Sequence, residues 1–229
     1  MKKKKRAKKQ PSYTPPVITF NEAEHAYTIN GFPCLSVTQV LESAGITNIG
    51  RVPAEVLEAA RKFGNAGHKL LELYDYNDLD ESPGGFSEPL RPYLECWKKF
   101  KADTGADIKY IEDRVGSVQY QFCGTLDRVI YFPKNVQYHN IEIKKGLALA
   151  DLKFTSAITP AVKIQVAGYE LALAETRPAL KICQRMVIRL TETEPEVRVY
   201  DSPADLEIFK AALIVAHFKL REKIRERIK

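Results

Sequence analysis

The sequence predicts a mixed α/β domain with one central β-sheet flanked by helices. Three observations carry that expectation. Apolar residues recur at helical spacing from Pro53 to about Tyr76 and again from Leu90 to about Thr104. Near Asp107 the pattern changes to short runs rich in Val, Ile, Tyr and Phe that continue to about Phe154. After Pro160 the chain returns to a helix, two strands and a final helix, the alternation expected when helices cover a sheet.

Element by element, Val17 to Pro33 alternates apolar and polar residues and carries the turn dipeptide Asn30-Gly31, which predicts a small hairpin. Ser36-Val37-Thr38-Gln39 has the form of a capping box, in which the serine hydroxyl and the glutamine side chain satisfy the first free backbone N–H groups; Gly45 ends that short helix. The helix opened by Pro53 is expected to soften between Gly64 and Gly67, and the polar stretch Asp75 to Pro89 reads as a loop. Leu90 to Thr104 contains the single Trp97. Gly116, Pro133-Lys134-Asn135 and Gly146 divide the strand-like region, which is expected to form one sheet. Pro160 fits the first helical position with Thr159 as N-cap, and the helix runs to about Glu175. Strands near Gln184 to Leu190 and Val197 to Tyr200 precede a helix opened by Ser202-Pro203.

A chain of 229 residues with 45% hydrophobic content supports one sizeable core, so residues 17–229 are expected to form a single domain. No stretch approaches the roughly 18 apolar residues of a membrane span, and no apolar secretory block opens the chain, so a cytoplasmic protein without a membrane is expected. Cys34, Cys96, Cys123 and Cys183 are far apart in sequence, form no CxxC pair and read as reduced, mostly buried thiols. The formal charge of +6 is misleading. Lys2 to Lys5, Arg6, Lys8 and Lys9 supply seven of the 35 basic residues, and without them 28 basic residues face 29 acidic ones. Residues 1–16 therefore read as a solvated basic tail, suited to a DNA tether or a localisation signal, on a nearly neutral body.

An acidic residue, a spacer and a lysine occur three times, as Asp107-Ile108-Lys109, Glu142-Ile143-Lys144 and Asp151-Leu152-Lys153. Context separates them. Asp127 sits in Gly124-Thr125-Leu126-Asp127-Arg128-Val129-Ile130, a glycine turn running into an apolar strand, and Asp151 ends the run Leu147 to Ala150. Two carboxylates on neighbouring strands can meet at one spot. At this point the chain resembles the PD-(D/E)XK nuclease superfamily, in particular its RecB-like branch and phage-type exonucleases. Gly124 to Arg128 is similar to the family's first acidic motif, Asp151-Leu152-Lys153 to its second, and Gln165 to Tyr169 to the Gln-x-x-x-Tyr of the branch. Gly67-His68 is similar to the branch's metal-binding histidine, and Phe20 to Leu41 resembles the N-terminal part of phage members. The resemblance covers the chain from about Phe20 to Glu175 and implies a restriction-endonuclease-like core. It also implies a Mg2+- or Mn2+-dependent deoxyribonuclease acting on DNA ends in recombination or repair, with room for a recombination partner protein.

The chemistry of the residues agrees with that implication. Phosphodiester hydrolysis needs an activated water and compensation for charge on the phosphate, which a divalent cation held by carboxylates supplies. Magnesium takes oxygen ligands and keeps several waters. Asp127 and Asp151 are the candidate bridging ligands, with the Leu152 carbonyl as a third and the imidazole of His68 as a nitrogen ligand that also suits manganese. Lys153, one strand repeat beyond Asp151, projects to the same face, where a cation can stabilise the transition state. Gln165 and Tyr169 share one helical face and can brace Lys153 or touch the scissile strand. Glu72 and Asp75 share the face of His68 and can support it from behind, and Glu112 is either a further acidic contributor or a solvated strand charge. Glu142 competes with Asp151 for the second acidic position. Asp151 is preferred because Gln165 follows Lys153 at the spacing of the resembled family, which leaves Pro133 to Gly146 as a long excursion between the acidic motifs. No Walker loop, Gly-x-Ser-x-Gly elbow or paired metalloprotease histidines are present. Within the nuclease class an endonuclease or a single-strand nuclease is the alternative; outside it, a noncatalytic nucleic-acid-binding module that uses the basic tail.

Overall fold

The structure, a computed structural model, describes residues 13–47 and 53–228. The basic run Lys2 to Lys9 lies outside the described residues. The elements are β1 (Ile18–Asn21), β2 (Ala26–Ile29), β3 (Phe32–Ser36), α1 (Val37–Ser43), α2 (Ala54–Asp75), α3 (Arg91–Thr104), β4 (Asp107–Ser117), β5 (Phe122–Phe132), β6 (Val136–Tyr138), β7 (Ile141–Ile143), β8 (Gly146–Lys153), α4 (Ala161–Thr176), β9 (Ile182–Arg189), β10 (Glu196–Tyr200) and α5 (Pro203–Ile228). The mixed α/β class with a central mixed sheet flanked by helices is what the sequence predicts.

The sheet runs β1-β2-β3-β5-β8-β9-β10, with β4 on the other edge of β5. Pairing is antiparallel except for β3 with β5 and β8 with β9. One face packs under α1, α4 and α5 through Leu126, Val129, Leu149, Val187, Tyr169 and Phe209. The other packs under α2 and α3 through Ile130, Phe132, Ala150, Leu152, Ile188 and the buried Trp97. Strand β5 is therefore covered on both faces, which explains its nearly continuous apolar run.

Several local expectations change. The N-terminal segment is a three-stranded meander rather than one hairpin, because a first turn at Glu22 to His25 precedes the one at Asn30-Gly31. The capping box on Ser36 forms in both directions. Helix α2 is unbroken through Gly64 and Gly67: the glycines fit helical geometry, and Gly67 leaves room for the Phe154 ring, which a Cβ would meet at 2.4 Å. Thr159 does not cap α4. Pro160 takes the N-cap position without a side-chain bond, and Thr159 contributes only its carbonyl, to the Val162 N–H. The region Asp107 to Phe154 is not all one sheet, since β6 and β7 form a separate two-stranded ribbon that absorbs the excursion after Pro133. No described helix is long and apolar enough to cross a membrane.

Candidate metal centre

Strand register builds the site. On one edge of β5, β4 pairs from Phe122 to Tyr131 with a bulge between Ile108 and Tyr110; on the other, β3 pairs only with Phe122 and Cys123, and β8 pairs only from Arg128 to Phe132. The stretch Gly124 to Asp127 thus lies at a fork where β3 and β8 part. Continuing the registers, Asp127 stands between Glu112 on β4, flanked by the pairs Ile111 with Arg128 and Asp113 with Leu126, and Asp151 on β8, one step beyond the pair Arg128 with Ala150. Three carboxylates therefore line up across three adjacent strands.

Helix α2 brings His68 to this row. Its Nδ1 is 3.6 Å from Glu112 Oε1 and 3.8 Å from Asp127 Oδ2, and ligand atoms of His68, Glu112 and Asp127 all lie within 4.8 Å of one another, a spacing that a single cation can bridge. His68 is held by the Phe154 ring, with centroids 5.3 Å apart. Asp127 Oδ2 accepts the Leu152 backbone N–H at 2.6 Å. Asp151 does not join the compact trio. It is 2% exposed, and its Oδ2 lies 2.8 Å from Lys153 Nζ, at ion-pair distance but without the alignment of a hydrogen bond, so that this buried oxygen has no hydrogen-bond partner.

Lys153 projects to the face of Asp151, as strand alternation requires, and its Nζ donates to Gln165 Oε1 at 3.2 Å; Gln165 Nε2 in turn donates to Tyr169 Oη at 3.3 Å. Gly124 makes that placement sterically allowed, because a Cβ there would come within 2.7 Å of the Tyr169 ring.

Behind the row lies a buried ionic brace. Arg128 and Asp75 side chains are 0% exposed and paired at 2.9 Å. Arg128 Nη1 also donates to Glu112 Oε1 at 3.0 Å and to the Asp127 carbonyl at 2.7 Å. Asp75 accepts further bonds from Trp97 Nε1 and Lys101 Nζ. Glu112 has φ +47°, a left-handed conformation that costs a non-glycine residue about 1–2 kcal/mol, and its carboxylate is the group Arg128 holds. Asp75 thus supports the row through Arg128, while Glu72 pairs with Lys69 at 3.0 Å on the helix surface.

The electrostatics are those of crowded, desolvated carboxylates. Burial pushes Asp151 up to about 6, with Asp127 adding to the shift and Lys153 opposing it. Burial also raises Asp127, helped by Glu112 and opposed by His68 and Lys153. For His68 and Lys153 burial favours the neutral form, but the surrounding carboxylates outweigh it and both are raised.

Of the sequence candidates, the structure brings His68, Glu112 and Asp127 into one cluster, with Asp151, Leu152, Lys153, Gln165 and Tyr169 beside it. Glu142 is elsewhere: exposed on β7, within reach of Asn135 Nδ2 at 3.2 Å. Asp107 pairs with Tyr131 at the far end of β4 and its carboxylate meets Lys109. Sequence reading missed Arg128, whose signal was a cation directly after the first acid in an otherwise apolar strand.

No protein-family model matches the chain, and no curated protein matches it. Similar solved structures include a putative exonuclease from Eubacterium rectale, at 13% identity over 84% of this chain and 80% of that one, with a TM-score of 0.45. LHK-Exo in complex with dAMP matches at 8% identity over 84% and 90%, with a TM-score of 0.46. The alkaline exonuclease LHK-Exo from Laribacter hongkongensis matches at 8% identity over 85% and 93%, with a TM-score of 0.41. At these identities and scores the likeness carries no argument about this chain.

Proposed function

We propose that the protein is a divalent-metal-dependent deoxyribonuclease of restriction-endonuclease-like architecture, most simply an exonuclease of the phage recombination type. The observation that carries this reading is the row Glu112, Asp127 and Asp151 with His68 above it and Lys153 alongside. Crowding buried carboxylates together is costly, and a cation held among them offsets that cost. The donors are carboxylate oxygens and one imidazole, which suit Mg2+ or Mn2+. Asp151 Oδ2, ion-paired with Lys153 but without an aligned hydrogen bond, is the atom a bound ion would satisfy.

Asp127, Asp151, His68 and Glu112 would hold the ion. In a strand the N–H and C=O of one residue leave on the same edge, so the Leu152 carbonyl faces the edge from which its N–H reaches Asp127. A divalent cation bound there would supply an acidified water and offset phosphate charge. Lys153, cationic at neutral pH, is the donor available to a non-bridging phosphate oxygen or to the attacking water. Gln165 orients that ammonium through its Oε1, and Tyr169 fixes Gln165.

The test is cleavage of end-labelled linear duplex DNA with Mg2+ or Mn2+. Wild-type protein is expected to release nucleotides, Asp127→Ala to remain folded and inactive, Lys153→Ala to remain folded with its cleavage sharply slowed, and covalently closed circles to resist. Activity that survives excess chelator would overturn the assignment; cleavage of closed circles would move it to an endonuclease.

A further inference from the structure

The β1 to β3 meander joins the main sheet by a narrow seam. Only Leu35 with Phe122 and Ser36 with Cys123 pair across it. At this seam two cysteines separated by 89 residues of sequence come together, with Cys34 Sγ 2.6 Å from Cys123 Sγ. A disulfide bond is about 2.05 Å long, so closing the pair requires a movement of roughly half an ångström. Cys123 is fully buried in a small cluster with Tyr27 and Ile29, and Cys34 is partly buried against it. Of the two residues Cys34 is the less buried. Its thiol is held below the usual cysteine range by the contact with Cys123, against the opposing effect of burial.

We infer that Cys34 and Cys123 form a peroxide-sensitive dithiol that closes reversibly to a disulfide and clamps the N-terminal meander onto strand β5. The thiolate of Cys34, the less buried of the pair, attacks one oxygen of hydrogen peroxide. The O–O bond breaks, Cys34 becomes a sulfenic acid, and the released hydroxide takes up the thiol proton as water. Cys123 Sγ then attacks the Cys34 sulfur, the S–O bond breaks, and the leaving hydroxide takes the Cys123 proton as a second water. Two thiols are oxidised and one peroxide is reduced to two waters; a dithiol reductant reverses the result. Cys96 is buried on α3, and Cys183 faces the backbone carbonyls of Lys145 and Leu147, so neither has a thiol partner among the described residues. The inference is independent of the nuclease assignment.

The experiment treats the full-length reduced protein with hydrogen peroxide, blocks free thiols in denaturant with N-ethylmaleimide, and maps peptides without reduction. The expected product is one cross-linked pair, Cys34 with Cys123, a mass loss of two hydrogens, maleimide on Cys96 and Cys183, and reversal by dithiothreitol. The oxidised protein should melt roughly 10 °C higher, because the bridge closes a long loop in the unfolded chain. Cys123→Ser should instead accumulate a Cys34 sulfenic acid that dimedone captures. The inference is overturned if wild-type Cys34 over-oxidises while Cys123 still takes maleimide, if another pair forms, or if the cross-link forms without raising the melting temperature.

Discussion

Replacing Asp151 by asparagine should stabilise the metal-free protein while abolishing its response to divalent cations. Burial lifts the Asp151 carboxyl from 3.8 to about 6. Each unit of such a shift is worth 1.36 kcal/mol, so the ionised carboxylate costs about 3 kcal/mol at pH 8, as an upper bound for a group coupled to Lys153 and Asp127. The sign follows from proton linkage. Between pH 3.8 and about 6 the folded protein keeps a proton that the unfolded chain has lost. This group's contribution to stability is therefore complete below about pH 4 and is lost as pH rises through about 6. Asparagine keeps the shape and removes both the cost and the pH slope. At 2–4 °C per kcal/mol for a chain of this size, the gain in chelator at pH 8 is at most roughly 6–12 °C. The assay is thermal melting of wild type and Asp151→Asn, in chelator and in millimolar Mn2+, from pH 5 to pH 8. In Mn2+ the order should reverse, with wild type rising and the variant unmoved. A variant that melts lower than wild type in chelator would show that Asp151 anchors the fold rather than waiting for an ion.

Lys153→Ala should retain Mn2+-dependent thermal stabilisation yet lose roughly 100- to 1000-fold in the rate of DNA cleavage, measured in single-turnover experiments, since its role is a charge offered to the reacting phosphate. Asp75→Asn leaves the buried Arg128 guanidinium without its full counter-charge. Urea unfolding should report a loss of about 3–5 kcal/mol, and Mn2+ titration should report affinity for the ion about 10- to 100-fold weaker, because Glu112 loses its brace. Gly67→Ala places a methyl group where the Phe154 ring lies, which calls for a destabilisation of about 1–3 kcal/mol by the same unfolding measurement, together with weakened metal binding through the displaced His68.

What was legible in the sequence were features that local chemistry dictates. The capping box on Ser36 and the helices around Trp97 and Tyr169 follow from periodicity and end signals and appear where those signals put them, whereas Gly124, read as a turn, lies inside β5, which begins at Phe122. Spacing also favoured Asp151 over Glu142, and the structure sets Asp151 beside Asp127 and Glu142 on the outlying ribbon. Features that depend on register were not legible. Glu112 read equally well as a solvated strand charge, because nothing local shows that it stands across from Asp127 with a left-handed backbone held by Arg128. Asp75 read both as the start of a polar loop and as a support behind His68; its carboxylate is fully buried and reaches the row only through Arg128, which nothing local shows. Thr159 had the right chemistry for a cap, but Pro160 itself occupies the position. Cys34 and Cys123 looked unrelated because the parallel seam that joins them links distant segments.

Anomalous difference density from crystals soaked in Mn2+ tests the central claim most directly. The expected result is a strong peak within about 2.0–2.3 Å of carboxylate oxygens from both Asp127 and Asp151, with His68 or Glu112 completing the set. A peak bound through Glu142, or no peak at the carboxylate row in millimolar Mn2+, would contradict the account.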